Sequence, residues 1–230
     1  LSSLRWVDFF GAPSDPEVIA RFKTLCPEAR LTNGWGMTET APPLTVSDPD
    51  EVSTVGKVRS RAEIGIADLE GRALPAGATG EIVVRGEAVC LGYWRDKALT
   101  AEAFRDGWLR TGDLGQLDGK GNLRIVGRIK DMIKVGGEIV VASEVELVLL
   151  RHPAVAEAAV VGLPDPLRGQ APKAWVVLKE GASATREELL AHCRRQLAHF
   201  KVPRALEFRS ALPKTGPGKI DKAALARPGG

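Results

Sequence analysis

The chain has 230 residues, of which 32 are Lys or Arg and 29 are Asp or Glu, for a formal net charge of +3. That small, well-mixed excess argues against nucleic acid as a partner, and a composition 44% hydrophobic and 27% charged excludes wholesale disorder. No apolar run approaches the roughly 18 residues of a membrane span, so a soluble, cytoplasmic protein without a transmembrane segment, of one or two domains, is expected.

The opening stretch, Leu1 to Phe10, places Arg5 and Asp8 inside what would be the apolar region of a signal peptide. It starts with Leu instead of Met, so a piece of a longer protein is expected. A helix follows: Ser14 or Asp15 as cap, Pro16 in the first position, Val18, Ile19, Phe22 and Leu25 at helical spacing, and Pro27 as the stop. Asn33 to Gly36 reads as a Gly-rich turn after an apolar stretch. From Thr54 to Val126 the pattern becomes short β-rich runs, among them Glu81 to Arg85 and Asn122 to Val126. Turn signals at Glu70-Gly71, Pro75 to Gly77 and Asp118 to Gly121 separate them, which predicts a small twisted sheet or barrel.

Beyond Gly127, Ser143 with Glu146 has the spacing of a capping box ahead of the apolar face Val145, Val148 and Leu149. Val155 to Leu163 and Ala174 to Leu178 read as strands, and Thr185 with Glu188 opens a second capped helix through Leu189, Leu190, Cys193 and Leu197. This sequence of elements is that of a compact α+β domain. A boundary near Ile129 to Asp131 divides the chain into 1–128 and 129–230.

Cys26, Cys90 and Cys193 form no metal pattern and read as reduced, structural thiols. His152, His192 and His199 have no nucleophile or acid at a usable spacing, and none is assigned to catalysis. Two nucleotide fingerprints fail. Ile220 and Pro213 stand where a phosphate loop needs Ser or Thr and its first Gly, and Glu39 stands where a dinucleotide fingerprint needs its third Gly.

Four polar motifs are poorly explained by packing. Asn33 to Thr40 sets Trp35 between two glycines, then Thr38 and Glu39, an arrangement suited to stacking a base, contacting phosphate and holding a divalent cation. Trp108 to Asp113 ends in an acid able to accept from two ribose hydroxyls. Gly127 to Glu138 is a charged, Gly-containing run between domains, and Leu212 to Ile220 is a mobile loop carrying Lys219.

In this order the motifs resemble those of the adenylate-forming acyl-CoA synthetases, members of the AMP-binding superfamily together with beetle luciferases and peptide-synthetase adenylation domains. The likeness runs from Leu1 to about Leu225 and covers only the second half of such enzymes. It implies the end of a large α/β nucleotide domain with a small distorted β-barrel, then a mobile α+β C-terminal domain. The Ser/Thr/Gly-rich phosphate loop and most of the acyl pocket would lie upstream.

The resemblance further implies that Gly11, Ala12 and Pro13 lie against adenine, with Trp35 in the aromatic position, keeping a stack but losing the phenol hydrogen bond of a Tyr. It makes Thr38 the phosphate-contacting hydroxyl, Glu39 the Mg2+ carboxylate, Asp113 and Arg128 the ribose contacts, and Lys130 the hinge. Gly136 and Gly137 would line the path of the pantetheine thiol, and Lys219 would be the catalytic lysine of the first step. Gly80, Glu81, Gly86, Gly92, Tyr93 and Trp94 match a further motif taken as barrel structure.

The implied activity is AMP-forming ligation of a carboxylic acid, expected to be fatty, to CoA, with ATP, Mg2+ and CoA as cofactors and a small-molecule carboxylic acid, ATP and CoA as partners. Aryl acids also fit, and no feature fixes an oligomeric state. An adenylation module that loads a carrier protein and a non-catalytic nucleotide-binding or interaction module remain alternatives.

Overall fold

In the computed structural model, residues 3–11, 16–216 and 218–227 are described. The chain divides into two compact units, Leu1–Val126 and Gly127–Gly230. The Ser14 and Asp15 caps, and Ala12 and Pro13, lie outside the described residues.

The first unit opens with β1 (Trp6–Phe9), α1 (Pro16–Leu25) and β2 (Arg30–Trp35), then two short strands, β3 (Thr45–Val46) and β4 (Lys57–Val58). They form a four-stranded sheet in the order β1-β2-β3-β4, with β1 and β2 parallel. The apolar positions predicted for α1 split: Ile19 is buried with Cys26, Ala29 and Leu31, whereas Val18 and Leu25 are exposed.

A second sheet uses β5 (Ala62–Ala67), β6 (Gly80–Gly86), α2 (Lys97–Ala103) as a connector, β7 (Phe104–Arg105), β8 (Trp108–Leu117) and β9 (Leu123–Arg128). Its order is β5-β6-β8-β7, with β9 on β8. This is the β-rich stretch of the sequence. Leu44, Ile82, Val84 and Leu123 are fully buried beneath it, and Trp35 from the first sheet joins the same core.

The second unit contains β10 (Met132–Val135), β11 (Glu138–Val141), α3 (Ala142–Leu150), β12 (Val155–Asp165), β13 (Gly169–Leu178), α4 (Arg186–Gln196), β14 (Ala205–Phe208) and α5 (Lys222–Leu225). Its sheet runs β11-β10-β13-β12, with β14 added parallel to β13. One face carries α3 and α4 over Val145, Leu149, Val160, Val176, Leu189 and Cys193. On the other, Trp175 and Ala159 meet Leu212 and Leu225.

The Thr185–Glu188 capping box forms, with the Glu188 N–H donating to Thr185 Oγ1 at 3.2 Å and the Thr185 N–H to Glu188 Oε2 at 2.7 Å. The Ser143–Glu146 box does not. Strand β11 runs straight into a helix that begins at Ala142, so Val141 holds the cap position without a side-chain bond. Glu146 instead accepts from the Val160 N–H at 2.7 Å and from Lys222 at 2.8 Å.

Asn33 to Gly36 is likewise not a turn at its start, because Asn33, Gly34 and Trp35 belong to β2. A Cβ at Gly34 would sit 2.0 Å from the Phe10 ring and 2.8 Å from the Thr45 carbonyl oxygen. This glycine therefore serves close approach inside a strand, not chain reversal. Cys90 is exposed, unlike Cys26 and Cys193, so it is no packed structural thiol. Burial pushes the Cys193 thiol up to about 11.

Candidate functional site

The expected site residues fall into two sets, one in each unit. In the first unit the chain leaves β2 at Trp35 and turns through Gly36, where a Cβ would be 2.9 Å from Pro42 Cβ. It then forms one turn of 3-10 helix, Thr38–Thr40. Thr40 is buried and spends its hydroxyl on Met37, accepting from that N–H at 3.1 Å and donating to that carbonyl at 3.0 Å. Thr38 is exposed, and its hydroxyl has no hydrogen-bond partner among the described residues. The two threonines thus separate into a structural one and an available one.

Glu39 does not stand alone. Tyr93 donates its phenol to Glu39 Oε1 at 2.8 Å, and the Cys90 N–H donates to the Glu39 carbonyl at 2.8 Å. The Tyr93 segment is in turn tied to α2. The Tyr93 N–H bonds Thr100 Oγ1 at 2.9 Å, and Asp96 caps the helix by accepting from Leu99 at 2.8 Å. The bond to Glu39, with burial as a second cause, pushes the Tyr93 phenol up to about 12. Sequence reasoning placed Tyr93 in the barrel, although it is the chain's single tyrosine.

Trp35 and Asp113 meet directly, with the Trp35 indole Nε1–H donating to Asp113 Oδ2 at 2.9 Å. Trp35 is 8% exposed and Asp113 7%, so the bond is shielded from water. The phenol hydrogen bond of a Tyr is absent here, and the indole supplies a different one, to the very acid expected to hold ribose. Gly11 follows β1, whose Phe9 pairs with Asn33 of β2, and has φ +84 with nothing within 4 Å of where a Cβ would stand. Trp35, Thr38, Glu39 and Asp113 thus share the first unit with Gly11.

In the second unit Arg128 ends β9 in extended conformation and Lys130 sits exposed in a 3-10 turn, Ile129–Asp131. Gly136 (φ +59) and Gly137 (φ +93) are the two residues of the β10–β11 hairpin, in which Val135 pairs with Glu138. Positive φ at both positions is the demand of a type I′ turn, which glycine meets without strain. The Gly136 N–H donates to the Arg168 carbonyl at 2.8 Å, and neither glycine has an atom within 4 Å of its Cβ position.

The described residues of the loop that carries Lys219 close on one another. Lys214 and Ile220 form a bridge, the Thr215 N–H donates to the Lys219 carbonyl at 2.7 Å, and Asp221 bonds back to Pro213 at 2.8 Å. Buried Leu212 and Leu225 hold its two flanks, each worth about 1.5 to 3 kcal/mol of apolar transfer. Lys214 pairs with Glu157, and Lys222 pairs with Glu146 and reaches Asp131 at 3.5 Å. Lys219, between them, is exposed and pairs with no carboxylate among the described residues.

Among the described residues no three His, Cys, Asp or Glu side chains gather as a metal site. A single carboxylate such as Glu39 suits Mg2+, which commonly takes one or two carboxylates and completes its shell with water and substrate phosphates.

Residues 1–94 match the family described as AMP-binding enzyme, and residues 144–219 match the AMP-binding enzyme C-terminal domain. The chain is 41% identical over 231 residues to a feruloyl-CoA synthase from an Amycolatopsis species, covering 99% of this chain and 47% of that protein. It is 41% identical over 228 residues to a long-chain-fatty-acid–CoA ligase of Yersinia pestis, covering 97% of this chain and 40% of the relative. Its structure superposes with a TM-score of 0.90 on the o-succinylbenzoate CoA synthetase MenE from Bacillus subtilis in complex with the acyl-adenylate intermediate OSB-AMP. That match has 32% identity and covers 99% of this chain and 47% of the other. The chain thus spans about half the length of the relatives it matches.

Proposed function

Because the chain belongs to the AMP-binding enzyme family, we propose that the protein carrying it joins a carboxylic acid to CoA through an acyl adenylate. The acid's carboxylate oxygen attacks the α-phosphorus of ATP, and the bond to pyrophosphate breaks. The CoA thiol then gives up its proton, its sulfur bonds to the acyl carbon, and AMP leaves with the electron pair.

The observation that carries this reading is the state of Lys219. A hairpin presents Lys219 with no carboxylate partner among the described residues, while Lys214 and Lys222 are each held by carboxylates. The first step brings two anions together, so a cation beside the carboxylate and an α-phosphate oxygen lowers the barrier where charge develops. In the first unit, Thr38 contacts phosphate, Asp113 accepts from the ribose hydroxyls, and Trp35 both backs the purine and holds Asp113. Gly11, Ala12 and Pro13 lie against adenine, and Arg128 reaches the ribose. Glu39, steadied by Tyr93, would hold Mg2+, which when bound supplies positive charge shared between phosphates.

For the second step, Lys130 serves as the hinge, a polar residue at a site that changes backbone angles. Gly136 and Gly137 leave a side-chain-free path for the thiol. The acid is taken to be fatty or aryl. The relatives named above are a feruloyl-CoA synthase, a long-chain-fatty-acid–CoA ligase and an o-succinylbenzoate CoA synthetase, so the choice of acid is assigned to residues outside this shared frame. A cytoplasmic location is part of the same proposal.

The test is acid-dependent exchange of pyrophosphate into ATP, together with thioester formation, in the full-length gene product across a panel of fatty and aryl acids. Exchange and thioester with one acid class support the reading. Nucleotide binding without exchange for any acid would favour a non-catalytic module, and exchange without CoA thioester would favour a carrier-loading one.

A further inference from the structure

Strands β6 and β8 do not run in simple register. Glu81 pairs with Leu114 and Val83 with Arg110, so the three residues Thr111, Gly112 and Asp113 stand opposite Ile82 alone. Such a bulge leaves backbone N–H groups without ladder partners, and buried donors need acceptors. Side chains supply them. Glu81 Oε1 accepts from the Gly112 N–H at 3.0 Å, and Thr111 Oγ1 accepts from the Asp113 N–H at 3.1 Å while donating to the Ile82 carbonyl at 2.7 Å.

Glu81 is 4% exposed. Its other oxygen takes the Arg110 guanidinium, with Nε at 2.7 Å and Nη2 also in contact. Arg110 in turn reaches the Leu69 carbonyl at 3.3 Å. A buried ion pair is a poor source of net stability, since desolvation offsets most of its attraction. This one grips β8 at Arg110 and Gly112, on both sides of Thr111. Gly112 itself has φ +71 with nothing within 4 Å of its Cβ position, so the backbone conformation and not space requires glycine. The next residue is Asp113, whose carboxylate Trp35 holds from the other side.

We propose that Glu81 is a positioning residue for Asp113 and thereby a determinant of ribose recognition. The carboxylate fixes the turn that aims the acid, and Thr111 completes the clamp. The inference rests on Asp113 being the ribose acid.

The experiment measures equilibrium dissociation constants of ATP and 2′-deoxy-ATP for the full-length gene product and for Asp113→Asn, Glu81→Leu, Glu81→Gln and Thr111→Val. A hydroxyl bonded to an ionised acid corresponds to a preference of about 10- to 100-fold for ATP in the unmodified protein. Glu81→Leu is expected to reduce that ratio to within about threefold. Glu81→Gln should recover part of it, because its amide oxygen still accepts from Gly112.

A purely structural role would weaken both nucleotides equally and leave the ratio intact. That outcome in folded Glu81→Leu, with Asp113→Asn losing the ratio, overturns this inference alone. If Glu81→Leu does not fold, Thr111→Val decides in the same way. A ratio near one in the unmodified protein overturns the ribose role of Asp113, and this inference with it.

Discussion

Replacing Trp35 with Phe keeps an aromatic ring in the core and removes one N–H, the donor to Asp113 Oδ2 at 2.9 Å. Both partners are almost fully buried, so water cannot replace the lost bond. A hydrogen bond to an ionised group contributes roughly 1.5 to 3 kcal/mol. Trp to Phe also shrinks the ring, so the single mutant confounds a bond with a cavity. A double-mutant cycle of Trp35→Phe with Asp113→Ala isolates the pairwise part. Urea denaturation of the four proteins is expected to give a coupling energy of about 1.5 to 3 kcal/mol. Nucleotide binding separates the two roles of the ring. If Trp35 only stacks, Phe preserves ATP affinity; if it also holds the ribose acid, affinity falls along with the coupling energy. A coupling below about 0.5 kcal/mol, within the additivity expected of independent sites, would refute the claim that the indole fixes Asp113.

Tyr93 gives a spectroscopic test, since the 230-residue chain has one tyrosine. Its folded pKa is raised from 10.0 to about 12, so the stability contributed by the Glu39 bond is fully present below pH 10 and is lost as pH rises from 10 toward 12. Phenolate absorbance should be delayed beyond pH 10 while the fold persists and move back toward 10 in Glu39→Ala, which removes the bond and leaves the burial; an unshifted titration in the unmodified chain contradicts the bond. At Gly137 an added Cβ would meet no atom within 4 Å, and Gly137→Leu strains the backbone at φ +93, at roughly 1 to 2 kcal/mol. The variant should therefore fold and form the adenylate while failing to make thioester, and normal thioester formation would remove the glycine pair from the thiol path.

What the sequence made legible was local. The Thr185–Glu188 box has both partners within one helical turn, and the mostly apolar run from Val155 to Leu163 suffices for β12. Lys219 stands out only through the order of the four motifs and the resemblance they carry. What was hidden depends on partners far away in the chain. Gly34 looks like a turn residue until Phe10 is found against it. Glu146 looks like a cap member until Val160, 14 positions on, and Lys222 claim it. Tyr93 reaches Glu39 across 54 positions, and Glu81 reaches Gly112 across 31. No spacing rule encodes such pairs, because sheet register decides them. The bulge at Asp113 was invisible for the same reason.

The division of labour between the two chemical steps is tested most directly by Lys219→Ala. Lys219 is exposed and unpaired among the described residues, so its truncation should change folding stability by no more than about 0.5 kcal/mol. Losing one preorganised electrostatic contact typically slows the step it serves by about 100- to 1,000-fold. In the full-length gene product, acid-dependent pyrophosphate exchange should fall by that factor, while thioester formation from supplied acyl adenylate and CoA stays within about threefold of the unmodified protein. Equal loss in both half-reactions, or unimpaired exchange, would contradict the assignment of the C-terminal lysine to adenylate formation.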